Sequence, residues 1–171
     1  MLSQKTQQRI LQLQKQYPAR RSALIPALHL AQAEQGYLPH AVQAEVAQLF
    51  EISVNEVQSL VSFYDMFYDK PVGKHIVHVC KNISCMLRGS DALLQNMSDK
   101  LAIQPGQTTA DGQFTLIASE CLAACDRAPM MLIDDKIFGP VNESSLDTIL
   151  EEAKKSKGHP CPVEQTELFD A

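Results

Sequence analysis

The chain has 171 residues, of which 45% are hydrophobic and 20% charged, and its formal net charge is −5. That length suits one compact domain, or a small helical module joined to a small α/β module, and no more than two units. The acidic balance leaves no basic footprint for a phosphate backbone, so nucleic-acid binding is not expected, and no apolar run approaches the roughly 20 residues of a membrane-spanning helix, so direct membrane insertion is not expected either.

Met1 to Ile10 mixes Ser, Lys, Thr, Arg and Gln without an apolar stretch, which argues against a secretory signal and for a reducing compartment in which paired cysteines serve metal or redox chemistry. Ile10, Leu13 and Tyr17 share one face of a first helix. Leu24, Ala27, Leu28 and Ala31 repeat the i, i+3, i+4, i+7 pattern of a second, with Gly36 as its stop and Pro26 early enough to be tolerated. Val42, Val46 and Leu49 define a third helix, and Ser53-x-x-Glu56 opens a fourth as a capping box. Phe63, Tyr64, Phe67 and Tyr68 near its exit read as core or interface, with core favoured. None of these segments carries a glycine-rich loop, a buried charge pair or a nucleophile motif, so residues 1–70 read as a helical bundle for packing or docking.

Pro71 and Gly73 break the pattern, and the β-branched run His75 to Val79 follows. Ser90 to Leu101 places Leu93, Leu94, Met97 and Leu101 on one helical face, and Pro105-Gly106 and Asp111-Gly112 mark turns. Phe114 to Ala118 reads as a strand, Met130 to Ile133 and Ile137 to Gly139 as a hairpin, and Asn142 as the cap of a last helix through Leu146, Ile149, Leu150 and Ala153. The order β-α-β-β-β-α over residues 71–157 suits a small sheet covered by helices, as in thioredoxin-like folds, and the fold class is α+β. Residues 158–171 read as a flexible tail, in which Cys161 is a free thiol.

Cys80 and Cys85 give C-x4-C between strand and helix, and Cys121 and Cys125 give C-x3-C after the next strand. Both pairs fall where a chain leaves the carboxyl end of a strand, so four thiolates can converge. A single buried cysteine is ordinarily a small hydrophobe. Two spaced pairs instead point to a 2Fe-2S cluster, which takes two thiolates per iron, with a four-thiolate zinc site as the chemical competitor. The spacing favours the cluster and leaves zinc open, while a dithiol oxidoreductase would want a C-x-x-C that is absent. His75 and His78 fall on opposite faces of one strand and read as ordinary strand histidines.

At these residues the chain resembles the 24-kDa-type 2Fe-2S subunit of respiratory complex I, the NADH:quinone oxidoreductase, over about residues 22–153. Gln35-Gly36-Tyr37-Leu38-Pro39, Ser62-Phe63-Tyr64-Asp65-Met66-Phe67 and Pro71-Val72-Gly73-Lys74-His75 carry the resemblance, as do the segments Cys80 to Gly89 and Glu120 to Met131. The family often has Gly where Ala123 stands and uncharged residues at Asp126 and Arg127. The resemblance implies a helical bundle before a thioredoxin-like domain, one cluster on Cys80, Cys85, Cys121 and Cys125, and no active site on this chain. It further implies FMN and NADH on a flavoprotein partner, other peripheral-arm subunits alongside, and a place on the cytoplasmic face of a bacterial inner membrane. Similar subunits serve NAD-linked hydrogenases and formate dehydrogenases, although Leu101 to Leu116 looks more like bacterial complex I members. Lys81, Arg88 and Arg127 flank the cysteine segments, and a positive charge there would favour the reduced cluster.

Overall fold

Helical spacing of apolar residues runs through the first part of the chain, and the computed structural model, which describes residues 1–158, folds it as four helices. They are α1 (Gln4–Lys15), α2 (Leu24–Gln35), α3 (His40–Phe50) and α4 (Val54–Phe63). The described residues divide into two compact units, 1–71 and 72–158.

In the first unit α2 is the central element. Seven of its residues, Leu24, Ala27, Leu28, His29, Leu30, Ala31 and Gln32, are buried, the mark of a helix enclosed on more than one side. The ends follow local chemistry. Ser3 accepts from Thr6 N at the start of α1, Gly36 closes α2 in the left-handed region, and Ser53 and Glu56 form the reciprocal capping box of α4. Tyr17 is not on α1, contrary to expectation. It precedes Pro18, whose ring disfavours helical backbone at that position, so the helix stops at Lys15 and Tyr17 packs against the core from the connecting turn.

Three buried glutamines make contacts that periodicity does not reveal. Gln14 Nε2 donates to the Leu49 carbonyl, Gln43 Nε2 to that of Leu38, and Gln32 both donates to the Met66 carbonyl and accepts from Tyr68 N. Gln43 and Gln32 thereby satisfy loop backbone groups, and Gln14 satisfies a carbonyl in the last turn of α3 that Arg20 also reaches. The aromatic residues after α4 divide. Phe67 is core and stacks at 4.8 Å on His29, and Tyr64 and Tyr68 are half-buried, but Phe63 is 76% exposed, which corrects the favoured core reading at that position.

The second unit is a four-stranded sheet in the order β2-β1-β3-β4, made of β1 (His75–Cys80), β2 (Phe114–Ser119), β3 (Met131–Ile133) and β4 (Lys136–Phe138). β1 and β2 are parallel, with His75 opposite Phe114 and Cys80 opposite Ser119, while β3 runs antiparallel to both β1 and β4. A parallel pair needs a crossover. That crossover holds α6 (Ser90–Leu101), preceded by a short helix, α5 (Ile83–Leu87), which five residues are too few to announce by periodicity. The last helix, α7 (Leu146–Lys155), follows a turn capped by Asn142, and Leu146, Leu150 and Ala153 join Val77, Val79, Met97, Phe114, Leu116 and Met131 in the core.

The hairpin turn is Asp134–Asp135, so β4 begins at Lys136, one residue earlier than read from the sequence. Asp134, in the left-handed region at φ 53°, reaches back to the start of β1. Its carboxylate accepts from Ile76 N at 3.0 Å and from Nδ1 of the fully buried His75 at 2.8 Å. Gly73 is needed for close approach, because a Cβ there would stand 2.8 Å from the Phe114 carbonyl carbon. No described helix is long and apolar enough to cross a membrane. Of the expected tail, all but Gly158, and with it Cys161, lies outside the described residues.

Candidate metal centre

The parallel pairing of β1 and β2 puts the two cysteine segments side by side, since both strands end at the same edge of the sheet. Cys80 is the last residue of β1, and Lys81 N donates to the Ser119 carbonyl at 2.9 Å, holding the exits of the two strands together. Asn82 then caps α5 and also donates through Nδ2 to Glu120 (3.3 Å), while Lys81 Nζ reaches the same carboxylate at 3.1 Å. This double contact holds the Glu120 carboxyl below its usual pKa range, the Lys81 bond first among the causes.

Cys85 sits within α5 rather than at the threshold of a long helix. It is the one residue of α5 that is buried, and it packs with Cys80, Ala124, Ala128 and Met130 in a small apolar cluster, with Leu122 against it. Burial is the main cause that pushes the Cys85 thiol above its ordinary pKa. The neighbouring Cys80 and the charge of Cys125 push the same way, and a hydrogen bond from the backbone of Met130 opposes them. Met130 is therefore a positioning residue that the sequence does not flag. Its carbonyl also accepts from Cys80 N at 3.3 Å, so one buried residue braces both members of the first pair.

The second pair is arranged differently. Cys121 and Cys125 are exposed, and their sulfurs are 3.8 Å apart. Between them Ala123 adopts φ 60°, in the left-handed region that penalises a Cβ, and Cys125 opens a single 3-10 turn through Arg127. A Gly at this position would adopt that backbone without the penalty. Among the described residues, no three His, Cys, Asp or Glu side chains converge to hold one ion. The cysteines stand instead as a buried pair and an exposed pair, linked by the influence of Cys125 on Cys85.

The donor set can be tested against an iron-sulfur cluster on its chemistry. Four free thiols, none in a disulfide, fit a group that binds two thiolates on each of two metals. Two thiolates on one tetrahedral metal at about 2.3 Å stand about 3.8 Å apart, and the exposed pair already has this separation. Of the two strand histidines, His75 bonds Asp134 through Nδ1 and His78 bonds Ser119 Oγ, each at 2.8 Å. Of the flanking cations, Lys81 is matched by Glu120, and Arg127 Nε lies 3.9 Å from Asp126, so their net field on the site is weaker than the residues alone suggest.

A family model described as thioredoxin-like 2Fe-2S ferredoxin matches residues 10–154, and the chain belongs to that family. It is 46% identical over 135 residues to an E-type subunit of the NADH-quinone oxidoreductase of Rhizobium meliloti (strain 1021), covering 79% of this chain and 80% of that one. It is 33% identical over 138 residues to the E-type subunit of the NADH-quinone oxidoreductase of Escherichia coli (strain K12), covering 81% and 83%. Among solved structures, the air-oxidised NAD+-reducing NiFe-hydrogenase has a chain similar to this one with a TM-score of 0.66 and 26% identity over 85% of this chain. This chain spans about a quarter of that hydrogenase chain, 24% of its length.

Proposed function

We propose that Cys80, Cys85, Cys121 and Cys125 hold one 2Fe-2S cluster, and that the chain is a one-electron carrier in an NADH:quinone oxidoreductase, taking electrons from the FMN of an NADH-binding partner subunit. The observation that carries this reading is the pair of cysteine segments leaving adjacent parallel strands at one sheet edge. Once bound, the cluster supplies reversible one-electron chemistry. The residues of this chain do the rest. Cys80 and Cys85 anchor the group from the apolar interior, Met130 fixes their backbone, and Lys81, Asn82 and Glu120 lock the two segments in register. The raised pKa of Cys85 means that loading the site expels a proton from this thiol, so assembly is favoured as pH rises.

The chain has no catalytic residue of its own in this reading, and NADH oxidation belongs to the partner. Residues 1–71 serve as a packing or docking module, and other subunits hold the chain at the cytoplasmic face of the membrane. A second assembly is favoured by one specific observation, the similarity to a chain of an NAD+-reducing hydrogenase, in which a corresponding subunit would meet a hydrogenase module instead. A zinc-stabilised module is less well supported. One tetrahedral ion would take the same four thiolates, but the family model that matches the chain is that of a 2Fe-2S ferredoxin.

The test is reduction by NADH. Purified with its cluster under anaerobic conditions, the chain alone is expected to show no change in visible absorption on adding NADH. With the FMN-bearing subunit present, the visible band bleaches and an EPR signal of one unpaired electron per chain develops at low temperature. Absence of both changes in the presence of an active partner would overturn the reading.

A further inference from the structure

The exposed cysteine pair carries a chemistry that holding a metal does not use. A disulfide needs a sulfur that an oxidant can reach from solvent and a second sulfur beside it. Cys121 and Cys125 are exposed and their sulfurs stand 3.8 Å apart, whereas Cys80 and Cys85 are 2% and 1% exposed. Bond formation asks the second pair to close by about 1.8 Å, to the S–S length of about 2 Å. Neither residue is held in a strand, since Cys121 follows the end of β2 and Cys125 opens a single 3-10 turn, so side-chain rotation and a small backbone shift achieve that approach. The first pair has no such freedom, because Cys80 ends the central strand β1 and Cys85 is packed against Ala124, Ala128 and Met130.

We propose that Cys121 and Cys125, in a chain whose site is not yet loaded, are a modification site for hydrogen peroxide, which links them in a reversible disulfide that closes the site to metal. The inference deepens the reading of the four cysteines as cluster ligands and rests on it. One sulfur attacks an oxygen of the peroxide, the O–O bond breaks, and a sulfenic acid and a water result. The other sulfur then attacks the first, the S–O bond breaks, and the oxygen leaves as a second water that carries the remaining thiol proton. Two thiols are thus oxidised by two electrons, and one peroxide is reduced to two waters. Sulfurs joined in this way are no longer the thiolates that a metal takes, so the buried pair alone would remain as ligands. The bond also keeps both sulfurs from the irreversible sulfinic and sulfonic acids. A dithiol reductant reverses it by attacking one of the exposed sulfurs, returning two electrons and two protons.

The experiment treats the full-length chain, freed of metal in reducing, air-free buffer, with an equimolar amount of hydrogen peroxide. Disulfides are then mapped by mass spectrometry after alkylation of the remaining thiols. The expected product is a monomer with Cys121 joined to Cys125 and the other three of its five cysteines alkylated. Cys161→Ser gives the same bond, and dithiothreitol removes it. Metal uptake is read with cobalt(II), whose thiolate complexes absorb visible light and form without sulfide, itself a disulfide reductant. The peroxide-treated chain is expected to lose the cobalt-tetrathiolate absorption of the reduced chain, and to regain it once dithiothreitol has been added and removed. A bond between Cys80 and Cys85, to Cys161 or between chains would overturn the proposal. So would sulfinic acid in place of a disulfide, or unchanged cobalt uptake by a chain that carries the bond. Failure of the reduced chain to assemble iron and sulfide would instead overturn the cluster reading beneath it, whatever bond is mapped.

Discussion

The two cysteine pairs stand in opposite surroundings. Cys80 and Cys85 belong to an apolar cluster with Ala124, Ala128 and Met130, while Cys121 and Cys125 lie at the surface around a left-handed alanine. The buried pair is fixed by the fold before any metal arrives, since Cys80 completes a central strand and Cys85 fills a core position. The exposed pair is set by a short irregular segment whose backbone is strained. Folding energy therefore defends one half of the site, and metal binding has most to contribute to the other.

Substitutions can break that contrast. Met130→Ala should have the largest effect, about 2–5 kcal/mol of lost stability in thermal or denaturant unfolding of the metal-free chain, because it empties a fully buried position beneath the first pair. Cys85→Ser comes next, at about 1–3 kcal/mol, since it buries a hydroxyl in an apolar cluster. Cys121→Ser at the surface should stay within about 0.5 kcal/mol in the same measurement. Equal costs for the two serine variants would show that the pairs are not differently supported.

A pH series sharpens the same point. The folded-state pKa of Cys85 is raised, so its contribution to stability is complete below the ordinary thiol range near about 8.5 and is lost as pH climbs through that range and beyond. The reduced metal-free chain should thus lose stability on the alkaline side, and Cys85→Ser should flatten that slope, as read from unfolding midpoints between neutral and alkaline pH. One further effect is small and of opposite sign, a gain. Ala123→Gly relieves the φ of 60°, partly offset by glycine's entropy cost, and should stabilise the second segment by up to about 1 kcal/mol.

Much of the fold is local in origin and was readable for that reason. The helix Ser90–Leu101 coincides with its periodic pattern because Gly89 and Ala102, both left-handed, bound it on either side. The β-branched run from His75 marks the buried central strand, and the Ser53/Glu56 box marks the start of α4. The features that escaped depend on contacts between residues distant in sequence. Asp134 reaches His75 across 59 positions, Gln32 clamps Met66 and Tyr68, and Met130 braces Cys80 and Cys85, none of which leaves a periodic trace. The exposure of Phe63 escaped for a related cause, since hydrophobicity says what a side chain prefers and not which surface remains open to it.

Spacing alone narrowed the candidate site to two metals, and the sheet then supplied what spacing lacks, a common edge from which both segments depart. The central claim is that the four thiols hold a binuclear iron-sulfur group. It is tested most directly by counting metals and acid-labile sulfide in the chain purified without exposure to air. Two irons and two sulfides per chain, both lost in Cys80→Ser, are predicted. One zinc per chain with no sulfide would contradict the account.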